Sequence, residues 1–156
     1  MAKYVLDTNV LIDVLRSAVE RQAYERFLKH RLPVTFMSAV VGMELLAGAT
    51  SDAHARALEA EVLGPFQRRA RVFAPSAEAT LRVGRILSGL TVGGKALPSR
   101  SFINDLLIGT SCRERGLTVV TRDTDFQRVR RLVPGLRVEA PYPGQSPGSG
   151  RHLPGA

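Results

Sequence analysis

The sequence predicts an α/β fold, in which a central, mostly parallel sheet of four or five strands carries helices on both faces. Short β-prone segments alternate with stretches of helical periodicity, an order typical of parallel sheets. The chain has 156 residues, about the length of one domain, and 44% of them are hydrophobic, which is enough for one core. We therefore expect one three-layer α/β/α domain over residues 1–140.

The predicted strands are short apolar segments, and most of them lead into a helical stretch. The clearest of them, 117–121, follows Gly116, which we expect to end the preceding helix. Segment 72–74 is a weaker candidate, and 136–139 is expected at an edge of the sheet. The full set is 3–6, 34–37, 72–74, 117–121 and 136–139.

Capping residues mark several of the predicted helix starts. Asp7 or Thr8 can cap the first helix, Ser38 the one after the second strand, and Ser101 the one that precedes segment 117–121. The predicted helices cover 9–16, 19–31, 39–47, 52–69 with an interruption near Gly64-Pro65, 76–87, 101–114 and 125–131.

The C-terminal segment, 141–156, differs from the rest of the chain in composition. It contains four prolines and four glycines and has almost nothing apolar to bury. We expect a disordered tail there.

Composition and charge narrow the classes of protein to consider. The net charge of +8 is typical of proteins that bind a phosphate-rich partner, above all nucleic acid. The apolar runs are far too short for a membrane helix, and Asp7 follows the N-terminus too closely for a signal peptide. Cys112 is the only cysteine, so internal disulfides and cysteine-based zinc sites are excluded. We expect a cytoplasmic protein without membrane contact.

Three acidic residues, Asp7, Glu44 and Asp105, occur among apolar neighbours rather than on a polar helix face. An ionised carboxylate withdrawn from water needs a compensating cation or a shifted pKa. Asp123 follows segment 117–121 as Asp7 follows the first strand, and parallel sheets bind ligands at that edge. The pattern predicts that the four acids converge on a metal ion.

Each acid also has a structural explanation. Asp7 and Asp123 could be helix caps, and Glu44 and Asp105 could pair with buried arginines. However, no arginine lies within one helical turn of Asp7, Glu44 or Asp105 along the sequence. We therefore favour the metal interpretation.

Four segments combine these acids with apolar neighbours in a characteristic order: 5–13 (VLDTNVLID), 38–48 (SAVVGMELLAG), 104–108 (NDLLI) and 121–126 (TRDTDF). Together they resemble the signatures of PIN-domain nucleases, most closely those of VapC-type toxins of bacterial toxin–antitoxin pairs. The resemblance covers about residues 3–139 and leaves only the tail outside.

The resemblance assigns roles to individual residues. Asp7, Glu44 and Asp105 match the three central metal-site acids of the family. The fourth acid is Asp123 or Asp125, because family members differ here, and the spacing from Thr121 places Asp123 ahead. Supporting polar groups are expected at Thr8 or Asn9 and at Thr121.

Carboxylate ligands without histidine or cysteine favour Mg²⁺ or Mn²⁺, and one or two ions could bind. Such ions activate water for attack on a phosphodiester, so no protein nucleophile is needed. His30, His54 and His152 lie outside every motif. The family resemblance implies an endoribonuclease toxin that leaves 5′-phosphate and 3′-hydroxyl ends, forms a homodimer and is neutralised by a cognate antitoxin. Arg122, Arg100 and Lys95 are candidates to hold the RNA backbone, or ordinary solvated charges.

Three other interpretations are open to comparison with the structure. The domain could bind RNA without cutting it. A phosphatase of the haloacid-dehalogenase type would need an Asp where this chain has Asn9. Segment 89–96 nearly matches a phosphate-binding P-loop, but Ala96 replaces the required Ser or Thr and a helix, not a strand, is predicted before it, so we expect a flexible loop.

Overall fold

A computed structural model describes residues 1–144 of the protein, which form a five-stranded parallel sheet between two layers of helices. The predicted α/β fold class is confirmed. The strands are β1 (Tyr4–Leu6), β2 (Thr35–Ser38), β3 (Val72–Phe73), β4 (Thr118–Val120) and β5 (Arg137–Glu139), in the sheet order β3-β2-β1-β4-β5.

The helices connect these parallel strands and fall into two layers. Because crossovers between parallel strands are right-handed, the helices between β1 and β3 lie on one face of the sheet. After β3 the chain crosses the sheet in the opposite direction, so the later helices lie on the other face. The helices are α1 (Thr8–Arg16), α2 (Ala18–Arg31), α3 (Ala39–Ala47), α4 (Asp52–Leu58), α5 (Gly64–Gln67), α6 (Ala77–Leu90), α7 (Arg100–Glu114) and α8 (Asp125–Leu132), with a 3₁₀ turn at Leu32–Val34 and a π-helical turn at Glu59–Leu63.

Several helix boundaries differ from the sequence-based predictions by one to three residues, and two of them have a visible cause. Helix α7 begins at Arg100, because the Ser99 hydroxyl accepts a hydrogen bond from the Phe102 N–H at 3.2 Å. The prediction of Ser101 as the cap was therefore wrong, since Ser101 lies inside the first turn. Helix α6 continues to Leu90, where the Thr91 N–H still bonds to the carbonyl of Leu87.

Helix α7 is the most deeply buried helix in the described chain, and this burial determines the character of the site. Leu106, Ile108 and Cys112 are fully buried, and α7 packs against α6, α8 and β4. Asn104 and Asp105 are therefore also carried into the interior. Apolar neighbours on nearly every side explain why the sequence of α7 shows no polar stripe.

The chain after β5 packs back onto the domain as far as it is described. Tyr142 is buried, and its ring centroid lies 5.4 Å from that of Phe27. Residues 145–156, most of the predicted tail, lie outside the described residues. Among residues 1–144, no helix combines the length and the apolar character that a bilayer crossing requires.

Candidate metal centre

The acidic residues predicted from the sequence meet at the carboxyl edge of the sheet. Asp7 follows β1 and Asp123 lies just beyond β4, and these two strands are neighbours. The helices that follow them, α1 and α8, leave toward opposite faces, so a crevice opens between them. Parallel α/β folds bind ligands at such a switch point in the strand order.

Asp7 is held in this crevice by three hydrogen bonds. Its N–H donates to the Val120 carbonyl at 3.0 Å, which fixes it to β4. One carboxylate oxygen accepts the Thr8 N–H at 2.8 Å, so Asp7 caps α1 as predicted. The other accepts the Thr121 hydroxyl at 2.8 Å. The capping explanation therefore accounts for only one of its two oxygens.

Thr121 connects the two halves of the site. Besides donating to Asp7, its hydroxyl oxygen accepts the Asp123 N–H at 2.9 Å and the Asn9 side-chain amide at 3.4 Å. Thr121 is itself buried. The positions of Asp7 and Asp123 are thus coupled through one hydroxyl group, and the supporting positions predicted at Asn9 and Thr121 adjoin the acids.

Glu44 reaches the site from α3 and is held by residues of two other helices. The Thr8 hydroxyl donates to one of its carboxylate oxygens at 2.5 Å, and the Asn104 side-chain amide donates to the other at 2.9 Å. Sequence analysis did not assign a role to Asn104, although it lies beside Asp105 in segment 104–108. These two donors orient the carboxylate without neutralising its charge.

Asp105, Asp123 and Asp125 form the most compact group of acids in the site. One carboxylate oxygen from each lies within 4.8 Å of those of the other two. Asp123 also accepts the Asp125 N–H at 2.8 Å in the turn that leads into α8, although the N-cap residue of that helix is Thr124 rather than Asp123. Asp105 is buried, Asp123 is half-buried and Asp125 is exposed, so the group runs from the interior to the surface.

Burial and mutual repulsion change the protonation of the two innermost acids. Burial is the largest cause that raises the pKa of Asp7 to about 6; hydrogen bonds from Thr121 and Thr8 oppose it, while repulsion from Glu44 and Asp123 adds to it. Burial likewise raises the pKa of Asp105 to about 8, with repulsion from the other acids adding to it, first from Asp7. Keeping Asp105 ionised at neutral pH therefore requires a nearby positive charge.

No side chain of the described residues forms an ion pair with either acid. Within residues 1–144, all Lys, Arg or His ion pairs involve Arg85 or Arg122, and none involves an acid of the site. The alternative that buried arginines pair with Glu44 and Asp105 therefore does not hold. One oxygen of Asp105 is buried and has no hydrogen-bond partner in the described part of the chain, which is costly for a carboxylate.

These features fit a hard divalent cation. The site offers carboxylate oxygens from five acids, and Mg²⁺ and Mn²⁺ prefer oxygen ligands. The unpartnered oxygen of Asp105 is free to coordinate, and a cation there would favour the ionised forms of Asp7 and Asp105.

The predicted substrate-binding cations occupy three different environments. Arg122 donates to Asp13 at 3.0 Å and to Glu20 at 2.7 Å. Arg100 lines a cleft of about 410 Å³ together with Glu44 and Asn104. Lys95 is exposed in the segment between α6 and α7. Arg100 is therefore the member of this set that borders the acidic site.

The structure also shows where His30, His54 and the glycine-rich segment 89–96 lie relative to the acidic site. His54 is exposed but lines a cleft of about 330 Å³ with Glu44, which sequence analysis did not foresee. His30 is exposed on α2, and His152 lies outside the described residues. Segment 89–96 follows α6 rather than a strand, so it lacks the strand–loop–helix context of a P-loop.

The fold and the site together define a class of protein. Residues 4–132 match the family model described as "PIN domain", so the chain belongs to the PIN domain family. The predicted resemblance is confirmed at this level. Comparison with curated proteins gives no match.

Several solved structures share this fold, among them VapBC proteins and a toxin–antitoxin complex. The chain is similar to VapBC from Salmonella typhimurium bound to DNA, with 26% identity and a TM-score of 0.57 over 90% of this chain and 98% of that chain. VapBC2 from Rickettsia felis, bound to a promoter DNA fragment, is 24% identical with a TM-score of 0.59, and the match covers 88% of this chain and 97% of that chain. A toxin–antitoxin complex from Klebsiella pneumoniae is 21% identical with a TM-score of 0.59, and the match covers 90% of this chain and 98% of that chain.

Proposed function

We propose that this protein is a Mg²⁺- or Mn²⁺-dependent endoribonuclease and the toxin component of a toxin–antitoxin pair. The observation that carries the proposal is the cluster of Asp7, Glu44, Asp105, Asp123 and Asp125. None of these acids forms an ion pair with a described residue, although the chain carries a net charge of +8. Membership in the PIN domain family supports nuclease chemistry.

The residues around the cluster hold it in a shape that suits cation binding. Thr121 fixes Asp7, and Thr8 and Asn104 fix Glu44, so these carboxylates lose little conformational freedom on binding. Asp105 and Asp123 supply oxygens from the middle of the crevice. Asp125 adds a further ligand candidate at the surface.

Mg²⁺ or Mn²⁺, when bound, offsets the charge of a phosphodiester and makes a nearby water more acidic. The protein needs no nucleophile of its own for such a hydrolysis, and the described site accordingly contains acids and amides but neither a cysteine nor a histidine hydrogen-bonded to them. Attack by water does not use the RNA 2′-hydroxyl. From the resemblance to PIN-domain nucleases we expect the 3′-oxygen to leave, which gives products with 5′-phosphate and 3′-hydroxyl ends.

The experiment is an RNA cleavage assay with purified protein. We expect cleavage with Mg²⁺ or Mn²⁺, none with a chelator, and none by the Asp7→Asn variant, while circular dichroism shows an unchanged fold. The matched control is Asp13→Asn, since Asp13 lies in α1 but pairs with Arg122 outside the site. Unimpaired cleavage by Asp7→Asn would refute the metal-site assignment. Metal-insensitive RNA binding without cleavage would instead favour a non-catalytic RNA-binding module.

The toxin role has its own support and its own test. Neighbours with this fold include VapBC and a toxin–antitoxin complex. We propose a cytoplasmic homodimer that a cognate antitoxin neutralises. Expression should arrest growth, and co-expression of a small DNA-binding protein encoded directly upstream should relieve the arrest. Light scattering measures the dimer. An isolated gene whose expression leaves growth unaffected would contradict the toxin role but not the nuclease activity.

A further inference from the structure

One arginine beside the acidic site is held by an aromatic ring instead of a carboxylate. The guanidinium carbon of Arg128, on α8, lies 4.2 Å from the ring centroid of Phe102, on α7. Arg128 is exposed, and within the described chain no acid lies within ion-pair distance of it. Its position is therefore fixed while its charge stays uncompensated.

The helix geometry places this guanidinium next to the acids. Phe102 precedes Asp105 by three residues and Arg128 follows Asp125 by three residues, so each pair shares one helix face. The carboxylates of Asp105 and Asp125 lie within 4.8 Å of each other. Because an α-helix rises about 1.5 Å per residue, the Phe102–Arg128 contact is displaced along the helix axes by about one turn, roughly 5 Å, from Asp105 on α7 and from Asp125 on α8.

A comparison with Arg122 shows why the mode of fixation matters. Two carboxylates, from Asp13 and Glu20, engage the donors of Arg122 and offset its charge. A ring face binds the flat side of a guanidinium and leaves the N–H groups along its edge available. Arg128 can therefore donate two parallel hydrogen bonds to a phosphate, as guanidinium groups commonly do.

The acidic site creates a need for such a residue. Five carboxylates repel a polyanionic strand, and that repulsion acts over about a Debye length, roughly 8 Å at physiological ionic strength. By this helix spacing, the Phe102–Arg128 contact falls within this range of Asp105 and Asp125. A fixed positive charge there attracts a backbone phosphate to the edge of the metal centre.

We propose that Arg128, held by Phe102, binds a backbone phosphate of single-stranded RNA at the entrance of the site. This inference rests on the proposed function and adds a substrate-binding residue to it. Sequence analysis missed Arg128 because it lies in an arginine-rich helix, where Arg130 and Arg131 look equivalent. Only the contact with Phe102 distinguishes it.

The test measures RNA binding in an Asp105→Asn background, which binds without cutting. Fluorescence anisotropy with a short labelled single-stranded RNA of mixed sequence is recorded over a range of salt concentrations. Losing one charge-assisted contact in Arg128→Ala should weaken binding about tenfold. The slope of log K against log salt should fall by about 0.7, the value for one phosphate contact on a single strand.

Two variants serve as matched controls. Arg115→Ala removes an arginine that also lies over a ring, that of Phe73, with 4.8 Å between guanidinium carbon and centroid. Arg115 is the C-cap residue of α7 and follows Asp105 by ten residues. Arg130→Ala removes a neighbouring charge on α8. We expect both to retain most of the affinity and the salt slope. Arg128→Lys, which keeps the charge without the planar donors, should be intermediate.

The outcomes separate this inference from the proposed function. Equal losses in the Arg128, Arg115 and Arg130 variants would overturn the specific role of Arg128 and leave the nuclease proposal intact. No RNA binding by the Asp105→Asn parent, together with no cleavage by the unmodified protein, would overturn both. Circular dichroism of each variant confirms that the fold is retained, and Arg128→Lys provides a second measurement if Arg128→Ala does not fold.

Discussion

The acids of this protein fall into two groups that differ in how their charge is balanced. Asp13, Glu20 and Glu78 lie on helix surfaces, and each pairs with an arginine at 2.6 to 3.0 Å. The acids at the carboxyl edge of the sheet have hydrogen-bond donors around them but, among residues 1–144, no cationic partner. In so basic a chain, the missing partner is the informative feature, because arginines were available and are not used there.

Among these comparisons, the largest effect should come from neutralising Asp105, the acid with a buried oxygen that has no hydrogen-bond partner in the described part of the chain. We expect Asp105→Asn to reduce the rate of RNA cleavage by about a thousandfold, which corresponds to roughly 4 kcal/mol of lost transition-state stabilisation. Asp13→Asn, the matched change in the paired group, should cut at nearly the original rate. The cleavage rates of both variants are measured with saturating Mn²⁺. Similar rates would contradict the distinction between the unpaired acids and the acids that pair with arginines.

A second pair of variants compares Asp123 with Asp125, the two candidates for the fourth acid of the site. Asp123 is half-buried and repels both Asp7 and Asp105, whereas Asp125 is exposed and acts on Asp105 alone. We expect Asp123→Asn to lower cleavage about a hundredfold and Asp125→Asn about tenfold. The rate constants at one Mn²⁺ concentration measure this difference. The reverse order would make Asp125 the fourth acid.

The unpaired acids should also make stability depend on pH and on metal. The pKa values of Asp7 and Asp105 are raised in the fold, to about 6 and about 8, so the folded chain binds more protons than the unfolded chain above pH 4. Their stabilising contribution is complete at low pH and is lost as the pH rises toward 8. We expect the Tm of chelator-treated protein to fall by several degrees between pH 5 and pH 8.

Two additions sharpen this thermal experiment. Asp105→Asn should flatten the decline of Tm with pH, because the group with the most strongly raised pKa of the site no longer titrates. Mn²⁺ should raise the Tm more at pH 8 than at pH 5, where protons compete for the same oxygens. A Tm that rises with pH in the metal-free protein would contradict the assigned direction of these pKa shifts.

The smallest effect is expected from the paired group. Arg122→Ala breaks two ion pairs whose side chains are 27 to 43% exposed, so the free energy of unfolding should fall by less than about 1 kcal/mol. Urea denaturation measures it. The KM of the same variant for RNA tests the predicted contact of Arg122 with substrate: a large increase would show that the guanidinium leaves Asp13 and Glu20 to bind a phosphate.

The sheet and the central acids were predictable because they depend on local signals. The apolar composition of segments 3–6 and 117–121 predicts strands directly. Asp7 and Asp105 could be identified because a carboxylate among apolar residues has few structural explanations. The residue at which a helix begins is harder to predict, because several serines in the sequence can cap it and tertiary contacts decide which one does. Ser99 and Ser101 both suit a cap, and the chain uses Ser99.

The supporting residues were harder to predict because their roles exist only across the fold. Asn104 bonds to a glutamate 60 positions away, and Arg122 bonds to acids more than 100 positions away. An arginine beside a catalytic motif looks like a substrate contact in sequence, and only the structure shows its carboxylate partners. Arg128 presents the opposite case, since its sequence context hides its position near the site.

Manganese binding tests the central claim most directly, because the claim is that a divalent cation is the missing partner of these acids. Titration of chelator-treated protein with Mn²⁺, followed by electron paramagnetic resonance, measures binding without any assumption about substrate. We expect one or two bound ions for the unmodified protein and for Asp13→Asn, and a loss of binding in Asp105→Asn. Equal binding by all three proteins, or no binding by any of them, would contradict the account.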